Sequence, residues 1–504
     1  MSTHLVTQPR SRRPRRRLLH LSIAGLAAVS LLGTACGDYR RPQAGPPTTT
    51  SSTTTTLRPG ATTTTTTIPG ATTAPPTTSP RANEVAGLPG HLAVITADGT
   101  LVAMTPDGTA RVTIAVPANG VVTQPTWSRD GTRIAFTATQ GAKSAVRVAS
   151  SDAKATIEQS LGTGPTLIAW SPDNARLGLE RPADAAATPP PATPPPSTTT
   201  PGTPVTPGGP DGSSIDLVSA TAAGTATHLG TGATPAVSWE PNGQRLVVRA
   251  GDTIAIVGAD GVSRPLGLTL GSFSGPVWVS ANRVLVALKA AKGAVLALVD
   301  ADTGARTELL TYDGTLDMVV DPAGTRVAYQ FSAAPSGGGT DQLTAFTQAA
   351  PTPTPTTPSP TTSAPAATLP TAAPDALAVL DLTAGSAPKV VSTNPVEAFS
   401  WSPTGDRLGY LTATGPSTGQ WSFWDGAKTL VSSRYAPSTP VLGQYLENFA
   451  QYAATVSTWS PDGKAFVFAG TVASQDGIWI QRIADPMPGP VKVSDGAIAL
   501  WSPK

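Results

Sequence analysis

Apolar positions in this chain come in short units. From about residue 90 onward, runs such as Leu92-Ala-Val-Ile95, Arg133-Ile-Ala-Phe136, Arg245-Leu-Val-Val248, Arg326-Val-Ala-Tyr329 and Ala465-Phe-Val-Phe468 alternate with turns rich in Pro, Asp, Asn and Gly. Runs of this length between turn signals predict β-strands. Most of these runs follow one phrase. It reads Thr126-Trp-Ser-Arg-Asp-Gly131, Ala169-Trp-Ser-Pro-Asp-Asn174, Ser238-Trp-Glu-Pro-Asn-Gly243, Ser400-Trp-Ser-Pro-Thr-Gly405 and Thr458-Trp-Ser-Pro-Asp-Gly463. Val277-Trp-Val-Ser-Ala-Asn282 is degenerate, Val320-Asp-Pro-Ala-Gly324 lacks the aromatic, and Leu500-Trp-Ser-Pro503 ends the chain. A strand entering a Pro-Asp-Gly turn with a second strand leaving it is a β-hairpin, here repeated.

Spacing selects the repeat architecture. Trp170 lies 43 residues after Trp127, Trp278 lies 39 after Trp239, and Trp501 lies 42 after Trp459. Such periods, at four strands each, belong to the blades of a β-propeller. The expected fold is therefore all-β, with four-stranded antiparallel blades. The last phrase stops within its turn, while the globular part opens at His91 with no phrase before it. The C-terminal strand is thus expected to complete the N-terminal blade, giving eight blades, or seven if the copy around Trp278 or Val320 is misread. The repeated Trp127, Trp170, Trp239, Trp278, Trp401, Trp459 and Trp501 are read as blade-to-blade packing.

The phrase Trp-Ser-Pro-Asp-Gly, followed by a basic residue and a strand like Ile-Ala-Phe, resembles the WD40-like repeat of TolB-type propellers. Similar blades occur in some actinobacterial envelope lipoproteins and in the non-catalytic propeller of prolyl oligopeptidase relatives. The resemblance spans about residues 90 to 504 and implies a bacterial envelope protein. It bears on fold more than on function, because repeat residues build blades and not sites.

The N-terminus reads as an export signal over residues 1–35. Six arginines between Arg10 and Arg17 precede the apolar run Leu18 to Leu32 and the small residues Gly33-Thr-Ala35. Cys36, the only cysteine, follows at once. The site resembles a lipobox, with Gly33 where Leu is usual, and implies lipidation of Cys36 and attachment to the outer face of the cytoplasmic membrane. The arginine pairs leave Sec and twin-arginine export both open. Residues 36–88 then form a Thr/Pro-rich spacer that cannot bury a core, able to extend on the order of 130 Å.

Without the signal, 28 basic side chains face 32 acidic ones, a net charge of about −4. This balance argues against a nucleic-acid partner. A propeller of residues 89–504 contains two Pro/Thr-rich insertions, 183–211 and 333–374, both expected between the second and third strands of a blade. A third insertion, 432–456, has a helical period: Thr439 as N-cap, Pro440 at the first position, then Leu442, Tyr445, Leu446, Phe449 and Tyr452 on one side. Tyr445, Phe449 and Tyr452 are candidate partner-binding residues, against the plainer reading that they pack on the disc. All three insertions are expected on the face opposite the spacer.

Chemistry is sparse. Gly415-Pro-Ser-Thr-Gly419 matches a hydrolase nucleophile pattern but lies between two strands, without the helix that the pattern needs. Only His91 and His228 remain outside the signal. Asp300-Ala-Asp-Thr-Gly304 begins like a calcium loop but reads as a turn. No catalytic, metal or cofactor residue is assigned, and no cofactor is expected. The expectation is a monomeric, non-enzymatic, membrane-anchored scaffold whose partner is a protein or a cell-wall polymer. The alternative is a propeller that binds, or acts on, a small molecule or carbohydrate through its central channel.

Overall fold

The computed structural model describes residues 82–504 apart from 118–119, 142, 162–163, 166, 182–212, 233–235, 259–260, 334–369, 447–448 and 453–455. The signal, Cys36 and nearly all of the spacer lie outside the described residues, as do the first Pro/Thr-rich insertion and most of the second. The chain is an all-β propeller. Its described strands form six four-stranded sheets and one seven-stranded sheet, all antiparallel meanders. The inner strand of most sheets ends at the Trp phrase, as in Val121–Trp127, Leu167–Trp170, Ala236–Trp239 and Val396–Trp401.

One sheet joins the two ends of the chain. Ile498–Trp501 is the inner strand beside Leu92–Ile95, with Leu92 opposite Trp501 and Ile95 opposite Ile498. Ser502 donates its amide to the His91 carbonyl, while the His91 amide donates to Ser502 Oγ. The seven-stranded sheet arises because the strand Thr429–Pro437 runs long enough to pair Ala436 with Thr471 and Pro437 with Gly470. It carries two Trp phrases, the second reduced to a Trp459–Phe466 bridge. Counted as one unit it gives seven, and as two it gives eight, the two numbers left open by the sequence.

The Ser-containing Trp phrases with an Asp two residues on are self-closing turns. Ser171 Oγ donates to Asp173 Oδ1 and accepts the Arg176 amide (2.9 Å), and Ser128 and Ser460 do the same with Asp130 and Asp462. The last turn residue needs a left-handed backbone, supplied by Gly131 (φ 70°) and Gly463 (φ 67°), or by Asn174 (φ 60°), which tolerates that region. Where Ser is replaced, the carboxylates of Glu240 and Asp321 hold Arg245 and Arg326 instead.

The tryptophans then join one sheet to the next. Trp170 Nε1 donates to the Thr126 carbonyl, Trp239 to Ala169, Trp401 to Val319 and Trp127 to Leu500, in each case the residue just before the Trp position of the preceding sheet's phrase. In the other direction, the arginine opening four of the second strands lies over the next tryptophan: Arg133 over Trp170, Arg176 over Trp239, Arg245 over Trp278 and Arg326 over Trp401, with guanidinium-to-ring distances of 4.5–5.3 Å. Arg176 and Arg326 also donate to the carbonyls of Gly243 and Gly405 in the neighbouring turns. Trp278, in the degenerate phrase, has no partner for its buried indole N–H.

Strand direction fixes the faces. Inner-to-second turns lie on one face, and second-to-third loops and sheet-to-sheet connections on the other. The strand ends that flank residues 182–212 and 334–369 therefore lie on the second face. The second insertion is shorter than its expected 333–374 span. Its end is built into the disc, where Thr311 pairs with Thr371, exchanging hydrogen bonds with Pro370 and Ala372, and Ala372 is buried. Val85 and Leu88 pack at the turn face against the cluster of Leu92, Ile480 and Trp501, and Arg482 donates to the Glu84 carbonyl.

Two predictions follow from this closure. Deleting residues 334–369 is expected to leave the melting temperature close to that of the parent, whereas Trp501→Ala, at a fully buried side chain, should cost about 3–5 kcal/mol in denaturant unfolding. A Trp501→Ala variant as stable as the parent would contradict closure by the terminal strand. Acid should weaken the turns. For Asp130 and Asp173, partial burial raises the carboxyl pKa, but the hydrogen bonds from Ser128 and Ser171 and from nearby amides outweigh it, so both sit below 3.8. A depressed native pKa adds stability that is complete above the unfolded value and is lost as pH falls through the native one. The melting temperature should thus drop below about pH 4, and Asp173→Asn should make that drop shallower.

Candidate functional site

The segment between the two Trp phrases of the seven-stranded sheet departs from the repeat. After the strand Thr429–Pro437, Ser438 caps a helix, α1 (Thr439–Gln444), by accepting the Val441 amide, with Pro440 in its first turn. The cap is thus Ser438 and not Thr439. Ser438 Oγ also donates to the Ala497 carbonyl at the start of the closing strand. The helix ends at Tyr445, and a second one, α2 (Phe449–Tyr452), follows. The single helix expected from the periodicity is therefore two short ones.

Helices of six and four residues have little stability of their own, so packing must hold them. Tyr445 joins the cluster of Ile95, Trp127, Ile134 and Ile498. Leu446 and Phe449 join that of Phe399, Trp459 and Phe466, with the Phe449 ring edge-on to Phe399 at 4.7 Å. α2 lies against the inner strands Leu167–Trp170, Gly314–Val320 and Val396–Trp401. These belong to three separate sheets, so the helical segment sits across the mouth of the central channel on the face that holds the strand ends flanking the insertions. Tyr445 and Phe449 are turned into the disc, which gives them a packing role. The Tyr452 side chain lies outside the described residues.

Beneath the helices is a cavity of about 90 Å³. In its wall, Trp421 Nε1 donates to the Tyr435 hydroxyl at 2.9 Å, and burial pushes the Tyr435 pKa well above the ordinary tyrosine range. Tyr435 belongs to the outer strand Thr429–Pro437, which runs into the first residues of the expected 432–456 insertion.

The other candidates fall elsewhere. Ser417 lies in the tight turn between Leu408–Gly415 and Thr418–Trp424, with no helix after it. Asp300 accepts the amides of Asp302 and Thr303, closing a turn, and Asp302 pairs with Arg245. The sequence reading missed one charged group: Asp216, 2% exposed, takes Arg181 at 2.5 Å and His228 Nδ1 at 3.1 Å. Asp216 and His228 face each other across adjacent strands. The Arg181 contact, by contrast, depends on the register of Arg176–Arg181 with Ser213–Ser219 across the insertion 182–212, which no local spacing reveals.

No family model matches the chain, and no curated protein matches it either. Among solved structures it is similar to the β-propeller domain of the Trilobed protease from Pyrococcus furiosus (9% identity over 75% of this chain and 98% of that one, TM-score 0.40). It is also similar to TolB from Acinetobacter baumannii (12%, 68% and 63%, TM-score 0.34) and to the dihydro-heme d1 dehydrogenase NirN (12%, 82% and 76%, TM-score 0.47). Identities this low speak to the fold alone. The expectation of a non-enzymatic chain is corrected here. Similar structures include a dehydrogenase and peptidases, so the fold gives no ground for excluding catalysis, and equally it assigns no activity.

The packing of the helical segment is testable. Phe449→Ala is expected to cost about 3 kcal/mol in denaturant unfolding, near the lower end for a buried phenylalanine. An unchanged midpoint would mean that the ring is not held against Phe399.

Proposed function

We propose that this chain is an exported bacterial lipoprotein, anchored through Cys36 to the outer face of the cytoplasmic membrane, whose propeller is a binding scaffold for a protein or cell-wall partner. The observation that carries the reading is the placement of the two ends of the system. Residues 82–91, which continue from the spacer, pack on the turn face through Val85, Leu88 and Pro89, whose carbonyl accepts Trp501 Nε1. The strand ends that flank both long insertions lie on the other face. An anchored disc of this kind holds one face toward the membrane and presents the insertion-bearing face outward.

Two further points support it. No helix among the described residues is long and apolar enough to cross a membrane, so attachment falls to the N-terminal segment or to a partner. The chain's own helices occupy the channel mouth on the outward face, so a macromolecule approaching there meets the insertions and the loop rim.

Fractionation tests the anchor. Cys36→Ser is expected to release the protein into the medium or to block its processing; a variant that stays with membranes as the parent does would sink the anchor reading. For the face, a photocrosslinking residue at Thr200 should give a partner adduct that one at Thr132, in a turn on the other face, does not. Equal adducts from both positions would remove the assignment of an outward face.

A further inference from the structure

We propose that the cavity under α1 and α2 is a binding site for a small uncharged molecule with an apolar, ring-sized body and one hydroxyl group. This goes beyond the scaffold reading and does not depend on the anchor.

The size comes first. A volume of about 90 Å³ exceeds what one water needs, and apolar cavities of a similar order stay dry and accept single aromatic rings. The lining comes second. The wall is mostly apolar, with Phe399, Phe449, Leu446, Ile498 and Leu500 among its residues, and no charged side chain lines it. A charged ligand would lose its hydration without gaining a counter-ion.

The polar groups set the remaining chemistry. Four hydroxyl residues line the cavity: Tyr435, Tyr445, Ser400 and Thr458. The Tyr435 oxygen accepts Trp421 Nε1, and Ser400 Oγ accepts Trp459 Nε1 at 3.0 Å. Each is used as an acceptor, and neither donates its own proton to another described residue. Tyr435 stays protonated because burial disfavours the phenolate. The site therefore offers hydroxyl donors to one or two oxygens within an otherwise apolar wall. A sugar, with a hydroxyl on nearly every carbon, would leave most of its polar groups unpaired here.

The roof provides the way in. α1 and α2 are held by side-chain packing and by the Ser438 cap, not by their own helicity, so lifting them costs those contacts and little else. Entry then follows from local opening of the segment, without rearrangement of the sheets.

Phenol is the probe, with benzene as the analogue lacking the hydroxyl and benzoate as the charged one, each titrated calorimetrically into the intact protein. Phenol is expected to bind saturably at one site, benzene about tenfold more weakly, as the loss of a hydrogen bond to a buried donor implies, and benzoate not at all. Ala469→Leu places a larger side chain in the cavity and should abolish phenol binding while the protein still melts cooperatively. Tyr435→Phe tests the hydroxyl independently of that variant's folding: benzene binding should persist while the advantage of phenol shrinks. The proposal is overturned if phenol shows no saturable binding, if it binds a folded Ala469→Leu variant as it does the parent, or if benzoate binds as tightly as phenol.

Discussion

The structure depends on the indole of the Trp phrase. A propeller sheet is apolar on both faces and must be covered by its neighbours, yet flat sheets side by side have nothing to fix their spacing or rotation. Here one large side chain does both. Its ring fills the wedge between sheets, and its N–H reaches back to a carbonyl of the preceding phrase, as from Trp239 to Ala169 and from Trp401 to Val319. The arginine of the preceding sheet covers the ring's other side and hydrogen-bonds the following turn. Where both groups are present the joint is secured from both sheets, and Trp127 bonding to Leu500 extends the indole contact across the junction of the chain ends.

This regularity explains why the fold was legible in the sequence. The Trp, the Ser-Asp pair, the left-handed Gly and the following Arg each answer a separate geometric demand at one turn, so they recur together even where neighbouring residues drift. Where the serine changes, the arginine stays and its contact changes. Glu240 and Asp321 stand in the serine position, and each holds its arginine by an ion pair where a hydroxyl could not. The phrase at Trp278 has lost its Ser-Pro-Asp-Gly turn, and its indole N–H is left without an acceptor. The period found the sheets because the period is set by these joints.

The candidate site was far less legible, for a physical reason. Helical spacing in residues 432–456 correctly marked an apolar side, but spacing cannot say what that side meets. Tyr445 packs with the sheet that closes the ring, whereas Leu446 and Phe449 pack with the seven-stranded one, and reaching both interrupts the helix at Tyr445. Likewise, the strand Thr429–Pro437 extends because Ala436 and Pro437 pair with the following sheet, a contact that no local pattern encodes. The contact of Arg181 with Asp216 also depends on register across a long insertion. In each case the deciding partner is distant in sequence.

The plugged mouth constrains how the molecule can work. A segment that repeats no blade rule, yet touches the inner strands of three sheets, ties together parts of the ring that the Trp joints link only stepwise. Its packing thus stabilises the disc as a whole, while the cavity below it leaves some of that packing unmade. Opening the roof exposes apolar inner-strand side chains, and any occupant of the cavity must favour the closed state by its own binding free energy. Since the roof lies on the face that holds the strand ends flanking both insertions, occupancy of the cavity and the state of that face are linked through the same ten helical residues. The disc is rigid by construction, and this segment is the one described element on that face whose position the repeat does not dictate.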